Sequence, residues 1–318
     1  MTSVSFIIPH MGREELLIET LTSIEKLDSS NIQLQVIVVS KNESFSPQLM
    51  AFNTALDIQF LQVNQDTTIS DQRNIGVKNS SSEFLAFIDA DIALSNNWLQ
   101  VMLSEVNHES FALISAVQRP SRNATQLELV RVTLSNLSID CEMEFLPGRN
   151  LFLSREVFNK TDGFPSDLIT CEDYVFTHNV SKFGKLYYTS KADYVHLGED
   201  KEYWSMARKE VWRGQSNLAS VKGRDVPISE YPSFIVPPLF TLALIASFLF
   251  IALNWNILSY LSIFVWVFLL GVYTVRLYKK RHKYLRLFPI VLFYSLYFPA
   301  RTVGTILGAK TTFKTGDY

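Results

Sequence analysis

A chain of 318 residues has room for one sizeable domain and a smaller second part. Its 29 basic and 31 acidic residues leave a formal net charge of −2, which removes any general attraction to nucleic acid. The two cysteines, Cys141 and Cys171, have neither metal-type spacing nor a disulfide framework, so a reduced, cytosolic setting is expected for the soluble part; no secretory signal is read at the start.

In chain order, Val4-Ser5-Phe6-Ile7-Ile8 predicts a first strand ended by Pro9, and residues 13–27 carry helical periodicity through Leu16, Leu17, Leu21 and Ile24. Buried-strand runs follow at residues 34–39 and 58–63. Ser70 is the expected N-cap of a helix reaching toward Ser80. Residues 84–88 predict a strand and 98–106 a helix, so strand and helix alternate as a mostly parallel α/β sheet requires.

The strand at 84–88 runs into Asp89-Ala90-Asp91. Open α/β sheets place their ligands at the C-terminal ends of strands. Two carboxylates separated by a small residue there suit a hard divalent cation, Mg²⁺ or Mn²⁺, that itself holds a diphosphate. On its own, Asp-x-Asp is equally a turn or helix-cap sequence.

Further on, Gly148-Arg149-Asn150 precedes the apolar Leu151-Phe152-Leu153, Gly163-Phe164-Pro165 makes a turn, and Glu172-Asp173 opens a helix running to about Lys182. Acidic residues at a helix N-terminus are favoured by the dipole, and a carboxylate held beside an acceptor hydroxyl also serves as a general base. His196 closes a strand-like stretch; a neutral imidazole suits Mn²⁺ better than Mg²⁺. His10 is a weaker candidate for touching a nucleotide. Over residues 202–223, Trp204, Ala207, Val211 and Trp212 share part of a helical surface, with Arg208 and Arg213 close by. That segment either rests on a bilayer or packs its tryptophans against the domain.

Composition shifts near Tyr231-Pro232. Residues 234–253 and 255–275 contain no charged side chain, each long enough to cross a bilayer as a helix, with only Asn254 between them. Two buried helices of a soluble core are the alternative. Arg276, Lys279, Lys280, Arg281, Lys283 and Arg286 follow the second run and predict a cytoplasmic loop, with residues 1–230 on the same side. A third apolar segment, 287–308, contains Pro289 and Pro299, so crossing, re-entry and interfacial placement all remain open.

In order, Phe6-Ile7-Ile8-Pro9, Arg73-Asn74-Ile75-Gly76, Phe87-Ile88-Asp89-Ala90-Asp91, Gly148-Arg149-Asn150, Gly163-Phe164 and Glu172-Asp173 resemble the family 2 glycosyltransferases of the GT-A fold, across residues 1–220. The resemblance implies a Rossmann-like catalytic domain over residues 1–230, with a nucleotide-binding half at about 1–110 and an acceptor half at about 111–200, while the apolar runs place the membrane region at 231–318. It implies a nucleotide-diphosphate sugar donor contacted by Pro9, Arg13, Asn42, Arg73, Asp89, Ala90 and Asp91. A Mn²⁺ or Mg²⁺ ion would be held by Asp91, Asp89 and His196. Asp173 would be the base of an inverting transfer, with Glu172 in reserve, and Gly148, Asn150, Arg208 and Arg213 would line the sugar or acceptor pocket. The acceptor would be lipid-linked or a glycan at a bilayer; no nucleic acid is implied, and the oligomeric state is left open.

Three departures bear on specificity. Where many relatives carry a base-gripping aspartate after the second strand, this chain has Ser40-Lys41-Asn42-Glu43. No Gln-x-x-Arg-Trp segment of processive synthases is present, and Ala93 stands where polyprenyl-phosphate sugar synthases usually have glutamine. One sugar per encounter is therefore expected. A polyprenyl-phosphate sugar synthase is the alternative enzyme, and a catalytically silent membrane scaffold the non-enzyme one.

Overall fold

The structure is a computed structural model and describes residues 1–107, 111–168, 170–221 and 226–312. The chain groups into two compact units, residues 1–121 with 138–198, and residues 122–137 with 199–318.

The first unit is built on a nine-stranded sheet: β1 Thr2–His10, β2 Ile32–Ser40, β3 Ile58–Gln62, β4 Phe84–Ile88, β5 Ile92–Leu94, β6 Phe111–Arg119, β7 Cys141–Met143, β8 Asn150–Ser154 and β9 Lys185–His196. Its strand order is β3-β2-β1-β4-β8-β6-β9-β5, with β7 also paired to β9. β1 to β4 are parallel, as the strand–helix alternation predicts, and so is the β6–β9 pair. β8 enters antiparallel between β4 and β6, and β5 and β7 run antiparallel to β9. The helices of this unit are α1 Glu14–Glu25, α2 Pro47–Met50, α3 Ile69–Lys78, α4 Trp98–Val106, α6 Arg155–Asn159 and α7 Glu172–Ser181.

Both faces of the parallel half are buried, which is why its strands read as unbroken apolar runs. Val4, Phe6, Ile8, Val36, Val38, Ala86 and Ile88 point into one core with Leu17 and Leu21 of α1 and Trp98 of α4. Ile7, Ile37, Val39, Leu85 and Phe87 point into the other, with Val77 of α3 and Phe176 of α7.

Two local expectations are corrected. β1 continues through Pro9 to His10. The His10 carbonyl accepts from the N–H of Lys41, just past the end of β2 (3.0 Å), so Pro9 faces the β4 side, where pairing has already ended at Ile7–Phe87 and a missing N–H costs nothing. Thr68, not Ser70, caps α3: its hydroxyl accepts from Asp71 N (3.1 Å) while Asp71 reaches back to Thr68 N, a reciprocal capping box.

The second unit contains α5 Gln126–Ser135, α8 Tyr203–Gly214, α9 Tyr231–Ala252, α10 Asn256–Lys279 and α11 Leu287–Thr312. The last three are long and apolar enough to cross a membrane. α9 and α10 form the expected hairpin, turned at Asn254 in a left-handed conformation (φ 57°) that asparagine tolerates better than most residues. α11 is one continuous helix: Pro289 falls in its first turn, where an N–H has no partner to lose, and Pro299 is accommodated inside. α8 ends at Gly214, earlier than the expected 202–223 segment, whose last two positions lie outside the described residues. Its buried face is Met206, Ala207, Glu210 and Gly214, while Trp204, Arg208 and Trp212 are exposed, so Ala207 does not share a face with the tryptophans.

Candidate active site

The C-terminal end of β4 delivers Asp89 and Asp91, and α3 brings a buried arginine beneath them. Arg73 Nη2 donates to Asp89 Oδ1 (2.9 Å) and to the Gly148 carbonyl (3.3 Å), and Nη1 donates to Glu172 Oε1 (2.7 Å). The guanidinium lies 4.9 Å from the centre of the Phe164 ring, and the residue is 1% exposed. A guanidinium so deep is tolerable because two carboxylates and a carbonyl meet it. Burial pushes the Asp89 carboxyl up, Arg73 opposes that, and the neighbouring Asp91 charge adds to it.

The residues around Arg73 explain three of the sequence motifs at once. Asn74 donates to the Phe164 carbonyl (2.8 Å) and accepts from Phe164 N (3.0 Å), pinning the Gly163-Phe164 turn. Gly163 sits at φ 74°, where a side chain would also collide with Asn74. At Gly76 a Cβ would run into Ile7, so glycine lets α3 approach β1.

Asp91 looks the other way. Its Oδ1 lies 3.3 Å from His196 Nε2 and its Oδ2 3.1 Å from Arg13 Nη2. Burial pushes its pKa up, but His196 and Arg13 outweigh that and hold the carboxyl below its usual range. β5 pairs Ile92 with His196, and the Asp91 carbonyl accepts from Leu197 N (2.8 Å), so backbone pairing sets the imidazole against the carboxylate. Behind them, a Cβ on Gly198 would collide with both Asp91 Oδ2 and Arg13. Among the described residues no three His, Cys, Asp or Glu side chains are grouped to hold a metal ion. The pair that is present still fits one: two neighbouring ligands of an octahedral ion, each ~2.1 Å from it, stand about 3 Å apart. An ion with two protein ligands keeps open positions for phosphate oxygens. Asp89, committed to Arg73, is not grouped with them.

Asp173 and Glu172 form the first turn of α7 and are divided in role. Glu172 is taken by Arg73, whereas Asp173 Oδ2 accepts from Gly148 N (3.1 Å) and Oδ1 from Tyr174 N (3.0 Å). Burial, reinforced by the Glu172 charge, pushes Asp173 up to about 6 against the opposing pull of Gly148 N–H and Arg73. At Gly148 a Cβ would stand only 3.1 Å from Arg73 Nη2 and 3.2 Å from Asp173 Cβ, so a side chain there would crowd both groups.

Beyond the ends of β1 and β2 lies an open cavity of about 540 Å³, lined by Gly12, Arg13, Glu14, Lys41, Asn42 and Gln65 among others. Asn42 Oδ1 accepts from Gly12 N (2.7 Å), tying its two walls together. His10 is buried, Nδ1 2.8 Å from Ser40 Oγ, and burial lowers its pKa, so it stays neutral.

Not every expected residue joins this site. Asn150 is fully buried and its Oδ1 accepts from Trp98 Nε1 (3.3 Å); it faces the core, not a sugar pocket. Pro9 is buried within β1, while Ala90 is half-buried between the two aspartates. Arg208 and Arg213 belong to the second unit, where Arg213 is held by Glu210 (2.6 Å) and Arg208 is exposed. Gly198 and Arg149, whose Nη1 is 3.5 Å from His196 Nδ1, were not expected. Arg149 sits inside the Gly-Arg-Asn motif and was a readable signal; Gly198 offered none beyond following His196 by two positions.

A mostly parallel α/β sheet with acidic residues, a buried arginine and an adjoining cleft at its strand ends is an arrangement of the GT-A type. Residues 5–162 match the model of glycosyl transferase family 2, and this part of the chain is a domain of that family of glycosyltransferases. An uncharacterized glycosyltransferase of Rickettsia bellii (strain RML369-C) is 27% identical over 128 residues, which are 40% of this chain and only 18% of that protein. The fold is similar to that of the mannosyltransferase PcManGT from Pyrobaculum calidifontis in complex with GDP-Man and Mn²⁺ (TM-score 0.66, 14% identity, 95% of this chain and 86% of that one). It is also similar to S. aureus TarS 1-349 in complex with UDP-GlcNAc (TM-score 0.52, 14% identity, 100% and 93%).

Proposed function

We propose that the protein moves one sugar, with inversion, from a nucleotide-diphosphate sugar to a hydroxyl of a membrane-bound acceptor, a lipid-linked glycan or cell-surface polysaccharide precursor. The observation that carries this reading is the meeting of Asp89, Asp91, Arg73 and Asp173 at one end of the sheet, where, among the described residues, Asp173 is the one carboxylate of this cluster outside an ion pair. Structural relatives solved with GDP-Man and Mn²⁺ or with UDP-GlcNAc support a nucleotide-sugar donor.

The cleft lined by Gly12, Lys41 and Asn42 would take the nucleoside, its polar rim matching a base and ribose. Asp91 and His196 would hold a divalent ion, Mn²⁺ or Mg²⁺. When bound, that ion supplies positive charge against the charge that builds on the departing diphosphate. Arg73 orients Asp89 and Glu172, and Glu172 is thereby a positioning residue. Asp173, aimed by the Gly148 and Tyr174 N–H groups, takes the acceptor proton as the acceptor oxygen bonds to the anomeric carbon; the bond from that carbon to the diphosphate breaks on the opposite side. The exposed basic residues at and after the end of α10, between Lys279 and Arg286, support a catalytic unit on the cytoplasmic face of a cell (inner) membrane.

The test is a donor screen with membrane extract and Mn²⁺, reading release of nucleoside diphosphate. Transfer should vanish on chelation and return with Mn²⁺. Asp173→Asn should cut turnover about 10²–10⁴-fold while leaving donor affinity nearly unchanged. Equal turnover in the two proteins would take the base role from Asp173, and absence of donor binding in both would favour a silent scaffold.

A further inference from the structure

By length and composition α11 qualifies as a bilayer crossing just as α9 and α10 do. Its neighbours within the second unit point elsewhere. One side of α11 follows α8 along most of its length. Tyr203 Oη donates to the Pro289 carbonyl (3.3 Å), and Arg301 Nη1 pairs with Glu210 Oε2 (3.4 Å). A Cβ on Gly304 would collide with the Val211 carbonyl, and one on Gly308 with the Gln215 carbonyl. From residue 289 to 308 is about 28 Å of helix, nearly the thickness of a hydrocarbon core. Beside it α8 carries Arg208, Lys209, Glu210 and Arg213, of which Arg208 is exposed and the Lys209 side chain is 45% exposed. A crossing α11 would draw these charges into hydrocarbon, where unsheltered ions are strongly disfavoured.

The other side of α11 packs against the near portion of the hairpin. Phe298 packs on Phe240 and Tyr273, and Thr302 Oγ1 is 3.0 Å from Thr241 Oγ1. Thr241 is about 15 Å along α9 from its start, half a hydrocarbon core, and Tyr273 about 9 Å from the end of α10. Farther along, Phe248, Ile251, Ile257 and Phe264 are exposed.

We propose that α11 lies along the headgroup boundary of one leaflet, so that the second unit crosses the bilayer twice, and that the α8–α11 pair is a platform for an anionic phospholipid surface. The charge and side-chain chemistry match that partner. Trp204, Arg208 and Trp212 are spaced i, i+4, i+8 and all exposed, two amphipathic rings flanking a guanidinium. The loop leading into α11 is basic and exposed from Lys279 to Arg281 and again at Arg286. This inference rests on the membrane attachment proposed above and fixes its topology: the start of α9 and the end of α11 share one side, and Asn254 lies on the other.

Full-length protein with Cys141→Ser and Cys171→Ser tests it in sealed cells. Asn254→Cys is probed with a membrane-impermeant maleimide, and a peptide tag fused after Tyr318 is probed with added protease. One should react from outside and the other only after lysis; reaction of both from the same side means three crossings and overturns the proposal. A second measurement does not depend on orientation. Fluorophores on Phe288→Cys and Ile306→Cys, both exposed on α11, should be quenched by shallow-labelled lipids to similar extents. Quenching from opposite leaflets, as a crossing helix about 27 Å long between the labels requires, overturns it. Release of the protein from membranes by alkaline carbonate would sink the membrane attachment itself, a result distinct from either topology. Vesicles with and without anionic lipid then read the surface: Arg208→Gln should weaken protection of α8 from proteolysis only on the anionic ones, and equal protection on both would remove the anionic partner.

Discussion

Each unit of the molecule buries a cluster of arginines and carboxylates, and the two clusters are inversely built. In the first, one arginine, Arg73, serves two acids, Asp89 and Glu172, with Asp91 and Asp173 close at hand. In the second, one acid, Glu210, serves three arginines, Arg131 (3.2 Å), Arg213 (2.6 Å) and Arg301 (3.4 Å), while a second acid, Glu199, takes a further bond from Arg131 (3.3 Å). Burial pushes Glu210 up, but the three guanidiniums prevail and keep it ionised. A surplus of acid at the mouth of a cleft invites a cation and an acceptor proton. A surplus of base closed around a carboxylate that is 3% exposed ties α5, α8 and α11 together instead. The same residue types thus line the proposed site in one place and make a structural joint in the other, and the balance of charge differs between the two.

Breaking each hub should expose that difference. The largest effect is expected from Arg73→Met, which strands two partly buried carboxylates: about 3–5 kcal/mol of stability should be lost, read by thermal unfolding in detergent, with transfer abolished. Glu210→Gln keeps a hydrogen-bond acceptor while removing the charge, so a smaller loss of roughly 2–3 kcal/mol is expected. Hydrogen exchange should then rise in α5, α8 and α11. Exchange confined to the first unit would refute the joint.

How much of this was readable from the sequence depends on the range of the interaction. The run 84–88 into Asp89-Ala90-Asp91, the opening of α7 at Glu172 and the hairpin turn at Asn254 are local features, and each falls where the periodicity and turn chemistry placed it. What escaped needed partners far apart in the chain: Glu172 bound to Arg73 across 99 residues, and Asp173 freed as a consequence. Asn150 is a different kind of miss. It lies two residues before Phe152 in β8, and side chains two apart share a strand face, so the buried Phe152 already marked Asn150 as facing Trp98. Thr68 was likewise within reach, because Thr-x-x-Asp is a reciprocal cap whereas Ser70 has no such partner. Thr68→Ala should cost about 1 kcal/mol through the helix that carries Arg73, and Ser70→Ala measured alongside should not reproduce that loss if the cap is the cause.

The smallest effect has the opposite sign and isolates Asp173. Its carboxyl titrates near 6 in the folded protein against 3.8 unfolded, so the ionised form is the one the fold disfavours. That penalty is complete above pH 6, shrinks as pH falls through the folded value and is gone below about 4. Asp173→Asn removes the penalty but, having one oxygen, keeps only one of the bonds from Gly148 N and Tyr174 N. A net gain of up to about 1 kcal/mol at pH 7.5 is therefore expected, fading toward zero near pH 4. Activity should run the other way, rising with pH through about 6 in the wild type as the carboxylate becomes free to accept a proton. Asp173 is a group that the fold would hold more comfortably as a neutral acid and that the proposed chemistry needs as an anion; Glu210, held ionised by its arginines, shows no such conflict.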